Sequence, residues 1–293
     1  VASALIISLA GFALLAGSAY MSYKLQWWAL IPALTLVAGA VSANVFFGEQ
    51  TAANLVTPVV LGTAGGLSIR KEAPLKTYLI TVTLILTVIM SGNYYFLLKN
   101  RNFDLIEYSR SEVAMMLEQN KAPEDLRKNI LSDFDEYKET IRDIIPFLFF
   151  LNALFLSLLT HIGLKVFTAR NPGEKKTGGL ENFRLNDFMI LVLIAGLGIF
   201  LLVDSVNYRL IYSLGLNAML ITAVLYALQA LGVIKFMIIK RGLPNYLFPL
   251  LFLIILILGI EVLVFTSVLL AGFGTLDFWA DFRKLGENNE LRS

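Results

Sequence analysis

One glutamate stands where charge is costly. In LILGIEVLVFTS, residues 256–267, Glu261 is the only charged residue between Leu247 and Ala271. An ionised side chain at the centre of an apolar helix costs about 2.5–3.5 kcal/mol on insertion scales. The residue is therefore expected to face a packed interior, to be protonated, or to have a partner. Such a carboxyl group can contact a polar ligand or take part in proton coupling; it can equally make a structural hydrogen bond to an amide or hydroxyl. Gln229, in YALQALG, is a natural partner because its amide both donates and accepts. Asn152 and Asn93 are further polar points in apolar segments. Together these give four candidate ligand contacts: Glu261, Gln229, Asn152 and Asn93. His161 follows Asn152 by two and a half helical turns, on roughly the opposite face, and reads as a packed or interfacial histidine. Asp204, in LLVDSVNYR, reads as a cap or loop charge.

No enzyme signature accompanies these residues. There is no P-loop, no GxSxG, no HExxH and no paired acidic metal motif. One His and no Cys argue against a transition-metal site, so no metal and no cofactor are expected. A formal net charge of +2 suggests no nucleic-acid partner. The expected partners are the lipid bilayer, a small-molecule or lipid ligand, and a membrane protein or a second copy of the chain.

The elements that must position these residues are membrane helices. The chain is 57% hydrophobic and 16% charged, too little charge to cover a soluble domain of 293 residues. Several apolar runs reach the ~20 residues that cross a ~30 Å hydrocarbon core. The ~10-residue alternation of a membrane barrel is absent, so the fold class is all-α, a polytopic transmembrane bundle. Eight segments are expected, at about 2–20, 28–47, 52–69, 76–98, 144–167, 187–204, 210–239 and 245–272. The first reads as a retained helix rather than a signal peptide. The third, with Asn54, Pro58 and three glycines, is the expected broken or re-entrant one. These segments give an N-terminal membrane region 1–98 and a C-terminal one 143–272.

Between them, the charge-rich residues 99–142 form an extramembrane insertion. Leu126, Ile130, Phe134, Tyr137 and Ile141 recur at helical spacing, and Phe103, Ile106, Val113 and Leu117 can face them, which predicts a helical hairpin. Basic residues in the short loops favour a cytoplasmic linker 168–186 and an exoplasmic insertion. Trp27, Trp28, Trp279 and Arg283 are expected as interfacial anchors, the last two in a polar tail, 273–293. Ala13 and Gly17, Ala29 and Ala33, and Gly39 and Ala43 are each four apart, a spacing that lets helices pack or dock closely.

The tail GFGTLDFWADFRKL, the run ALQALGVIKFMIIKRGLP and FRLNDFMILVL carry a resemblance. They are similar to the YybS-like family of bacterial membrane proteins over nearly the whole chain. The shared positions are Gly274, Asp277, Trp279, Asp281, Phe282 and Arg283, with Gln229 and Gly232; Asn186 stands before Asp187 where relatives tend to carry Pro. That resemblance implies a multi-pass protein of the bacterial inner membrane and no particular reaction. A more distant similarity to the S components of energy-coupling-factor importers implies a small-molecule binder that docks on a coupling subunit through its first helices. The leading expectation is thus a non-enzymatic substrate-recognition subunit. The alternative is a structural or regulatory membrane protein whose hairpin binds a protein partner.

Overall fold

The computed structural model describes residues 2–25, 49–70, 73–101, 103–168, 179–205, 207–244, 246–257 and 259–283. The expected second segment, with Trp27, Trp28, Ala29, Ala33, Gly39 and Ala43, lies outside the described residues. Every regular element among those described is helical. They are α1 (Ala2–Leu25), α2 (Glu49–Arg70), α3 (Leu75–Arg101), α4 (Leu105–Gln119), α5 (Glu124–Asp143), α6 (Ile145–Thr168), a 3-10 turn (Leu180–Asn182), α7 (Phe188–Leu202), α8 (Arg209–Lys240), α9 (Leu247–Ile257) and α10 (Ile260–Ala280). Four of them, α3, α6, α8 and α10, are long and apolar enough to cross a membrane. The apolar stretches Val56–Ile69 and Phe188–Leu202 are shorter than a full span.

The chain divides into two compact units, residues 1–63 with 82–159 and residues 64–81 with 160–293. The first unit holds α1, most of α2 and α3, the hairpin and most of α6. Val59, Leu61, Leu86, Phe150, Ala153 and Leu154 are buried in it. Two of its helices approach closely at Gly62, where a Cβ would stand 2.1 Å from Ser18 Oγ and 2.4 Å from Leu15 O. The expected small pair on α1 does not make this contact: Ala13 is exposed, and a Cβ on Gly17 would meet nothing within 4 Å. Nor is the third segment broken. Glu49–Arg70 is one continuous helix that contains Pro58, an interruption that membrane helices tolerate when neighbouring groups re-satisfy the freed carbonyl.

The hairpin is α4 and α5. Asp104 caps α4, its Oδ1 accepting the Ile106 N–H at 2.9 Å. Its other oxygen accepts from Arg142 on α5 at 2.8 Å. Arg110 pairs bidentately with Asp135 at 2.7 and 2.8 Å, and Lys138 pairs with Glu107. Burial of Asp104 would raise its pKa, but the Ile106 N–H and the Arg142 guanidinium outweigh burial and hold it below the ordinary value. The Arg110 hydrogen bonds likewise lower that of Asp135.

The second unit is built on α8, whose buried positions include Leu216, Leu225, Tyr226, Leu228, Ala230 and Val233. α7 and α10 pack against it. Tyr226 O lies where a Cβ on Gly274 would fall, at 1.9 Å, and Gln229 bonds Asp277. Both pairs are 48 residues apart (274 − 226 and 277 − 229), so α8 and α10 run parallel here. The expected continuous helix 245–272 is instead two helices. α9 ends at Ile257 and α10 begins at Ile260, with Gly259 at φ +100°, a backbone conformation suited to glycine.

Candidate functional site

Two places in the second unit gather polar groups inside apolar surroundings. The first is a clasp at the end of α10. Asp277 and Arg283 are fully buried and pair through Arg283 Nη2 and Asp277 Oδ2 at 2.6 Å. Gln229 Nε2 donates to the same oxygen at 2.9 Å and to Gly274 O at 3.3 Å, while its Oε1 accepts the Leu185 N–H at 2.8 Å. Arg283 Nη1 donates to Phe183 O at 2.8 Å and Glu181 O at 3.0 Å.

The local backbone makes this possible. Asp281 adopts a left-handed conformation at φ +36°, so the chain folds back and the Phe282 N–H reaches Asp277 Oδ1 at 3.2 Å. Gly274 lets α10 approach Tyr226. Gly232 leaves room for Leu180 O, which a Cβ would meet at 2.4 Å. Two outer pairs flank the core of the clasp, Arg184 with Asp281 at 3.2 Å and Lys235 with Glu181 at 2.8 Å. Burial of Glu181 would raise its pKa, but the bond from Lys235 and backbone N–H groups outweigh it and lower it. The charges of Asp277 and Arg283 offset each other and the Gln229 amide is used on both sides, while Arg283 Nε is buried without a partner. The clasp is a cross-link between the 3-10 segment, α8 and α10.

The second place is His161 on α6. The residue is 5% exposed, and its Nε2 is buried without a hydrogen-bond partner. Its ring lies 5.4 Å from that of Tyr78 on α3, itself 3% exposed. Nearby, α2 comes close at Gly65, where a Cβ would meet Leu164 Cδ1 at 2.4 Å and Tyr78 Oη at 3.8 Å. A buried nitrogen without a partner forfeits about 1–3 kcal/mol, and the hydroxyls of Thr63 and Thr83 and Arg283 Nε are likewise buried without a hydrogen-bond partner.

The four sequence candidates do not converge. Gln229 is buried as expected, but within the clasp. Glu261 is exposed, in the first turn of α10. Its run looked uninterrupted only because hydrophobicity does not register the break at Gly259. On the parallel register it is level with Ser213 (261 − 48), near the start of α8. Moreover, the 21 residues of α10 measure about 31 Å, a full membrane thickness, so Glu261 stands at the end of a span and not in its middle. Asn93 is half-buried and Asn152 exposed, both in the first unit. Arg283, expected as an interfacial anchor, is buried in the clasp, whereas Trp279 is exposed. Asn186 stands just before the N-cap Asp187 of α7, its Oδ1 accepting the Phe188 N–H at 3.1 Å, and Asp204 accepts from Asn207 at 2.6 Å within the α7–α8 turn.

The clasp had a signal in the sequence. Gln229 and Gly232 are three apart on one helix, and Gly274 and Asp277 three apart on another, so each helix offers a polar group and a close-approach point on one face. The site at His161 had none beyond a polar residue in an apolar run. Among the described residues there is no group of three or more His, Asp or Glu that could hold a metal ion.

Apolar helices of spanning length, a buried polar clasp and a charged helical hairpin mark an all-helical membrane protein. The chain belongs to the family described as "Predicted membrane protein (DUF2232)", whose model matches residues 2–278. No curated protein and no solved structure matches the chain.

Proposed function

We propose that this protein is a non-enzymatic membrane protein of the bacterial inner membrane that recognises a small molecule or lipid. The observation that supports the reading is the buried, unpartnered Nε2 of His161 between α3 and α6. Neither Glu261 nor Gln229 supports it in the way their sequence context suggests, since one is exposed and the other is engaged in the clasp. The transporter-subunit form of the reading rests on the resemblance to S components. In that form Ala13 and Gly17 on α1 would meet a coupling subunit; Gly17 leaves open space beyond its Cα. The test is native mass spectrometry of the protein released from lipid nanodiscs. A retained molecule that disappears in folded His161→Phe supports the reading, and a bare wild-type mass overturns it.

A second reading has its own support. Three ion pairs join α4 to α5 and leave Met115, Met116 and Leu126 exposed, as suits a rigid hairpin that presents a surface to a protein partner. Replacing Met115, Met116 and Leu126 together by Ser should then release a specific co-purifying chain. Unchanged association would exclude this use of the hairpin.

A further inference from the structure

We infer that the His161–Tyr78 pair receives the head of a hydroxyl-bearing apolar molecule drawn from the bilayer. This deepens the ligand reading above and rests on it. Depth is the first argument. Tyr78 is three residues into the span that starts at Leu75, and His161 is four residues before the span that ends at Lys165. At 1.5 Å per residue they lie about 4.5 and 6 Å inside the ends of those apolar segments. That is the level where the hydroxyl of a membrane-dissolved alcohol sits, with its hydrocarbon body deeper in the acyl chains.

Chemistry narrows the head group. A neutral imidazole nitrogen is a donor in one tautomer and an acceptor in the other; a hydroxyl can be either, so it satisfies His161 Nε2 in both. A charged head would have to shed its water to reach a residue that is 5% exposed. The charged groups at this end of the unit are Lys165, one helical turn beyond His161, and Glu181 and Lys235, which pair with each other at 2.8 Å. The Tyr78 ring, 5.4 Å from the imidazole, supplies an aromatic flank for the carbon next to the hydroxyl. A water molecule could meet the hydrogen-bond requirement but would gain nothing from that flank.

The chain has a single histidine, so histidine-selective 15N labelling gives one imidazole to observe, with no mutation needed. The wild-type protein in phosphatidylcholine nanodiscs is titrated with farnesol and, separately, with the hydrocarbon farnesene. The inference predicts a saturable shift of the Nε2 resonance with farnesol and none with farnesene. It is overturned if farnesol moves nothing, if farnesene moves the signal equally, or if Nε2 is already hydrogen-bonded to water and stays so. Native mass spectrometry of the same sample separates the two levels: a retained molecule with no farnesol response removes the hydroxyl class and leaves the ligand reading standing. A bare mass with no response removes both.

Discussion

At the scale of single residues, the two acidic groups near the ends of α10 behave oppositely. Asp277 is buried against Arg283 with the Gln229 amide on the same oxygen. Removing one partner strands the other charge in a low-dielectric interior, so Asp277→Asn or Arg283→Met should cost about 3–5 kcal/mol. Detergent-solubilised thermal or denaturant unfolding reads this loss. The double variant should lose less than the sum of the singles, because the pair is one interaction. Glu261→Gln should lie within about 0.5 kcal/mol of wild type in the same assay, since its side chain is exposed. A large loss at Glu261 with little at Asp277 would reverse the assignment of these two carboxylates. Gln229, expected as a ligand contact or an interhelical hydrogen bond, is buried with its amide bonded to Asp277, Gly274 and Leu185. Sequence reading misjudged Glu261 because an apolar run carries no mark of where one helix stops and another starts. It misplaced Arg283 because a basic residue in a polar tail is ordinarily solvated.

At the scale of elements, glycine positions separate true helix contacts from mere spacing. Gly274→Ala places a methyl group 1.9 Å from Tyr226 O. Neither backbone can give way there, so a loss of about 1–3 kcal/mol is expected in the unfolding assay. Gly17→Ala, with nothing within 4 Å, should leave stability unchanged or slightly improved through helix propensity. Equal losses at the two positions would contradict this packing.

The hairpin makes a pH prediction. Asp104 has a folded pKa below its ordinary value, so its contribution is full above about pH 4, the ordinary Asp range. It fades as pH falls through the lowered folded value. Lys138, raised by its hydrogen bond to Glu107, contributes fully below its ordinary value near 10.4 and loses that contribution above it. Protection of the α4 and α5 amides against hydrogen exchange, relative to the intrinsic rate, should therefore be higher at neutral pH and fall below about pH 4. Exchange with no acid dependence beyond the intrinsic rate would contradict the ion-pair account. These elements were readable beforehand: the stripe through Ile130, Phe134 and Ile141 fixed the hairpin, and long apolar runs fixed α3, α6 and α8 to within a few residues. The continuity of α2 through Pro58 was not readable, because tolerance of a proline depends on its neighbours.

At the scale of the whole molecule, composition alone was enough for an all-helical membrane protein, because so little charge cannot clothe a soluble domain of this size. Composition could not say how many segments cross. Four described helices have spanning length, and Val56–Ile69 and Phe188–Leu202 fall short of it. Nor could it find a place where a buried polar atom lacks a partner, since that depends on what three dimensions bring beside it. The central claim is that such a place, His161 beside Tyr78, is occupied in the membrane. The most direct measurement is the mass of the wild-type chain released intact from nanodiscs made of native lipid. The account predicts a defined adduct, lost when His161 becomes Phe in a variant that retains wild-type unfolding behaviour. A wild-type mass equal to the polypeptide alone, or an adduct that persists unchanged without the imidazole, would contradict it.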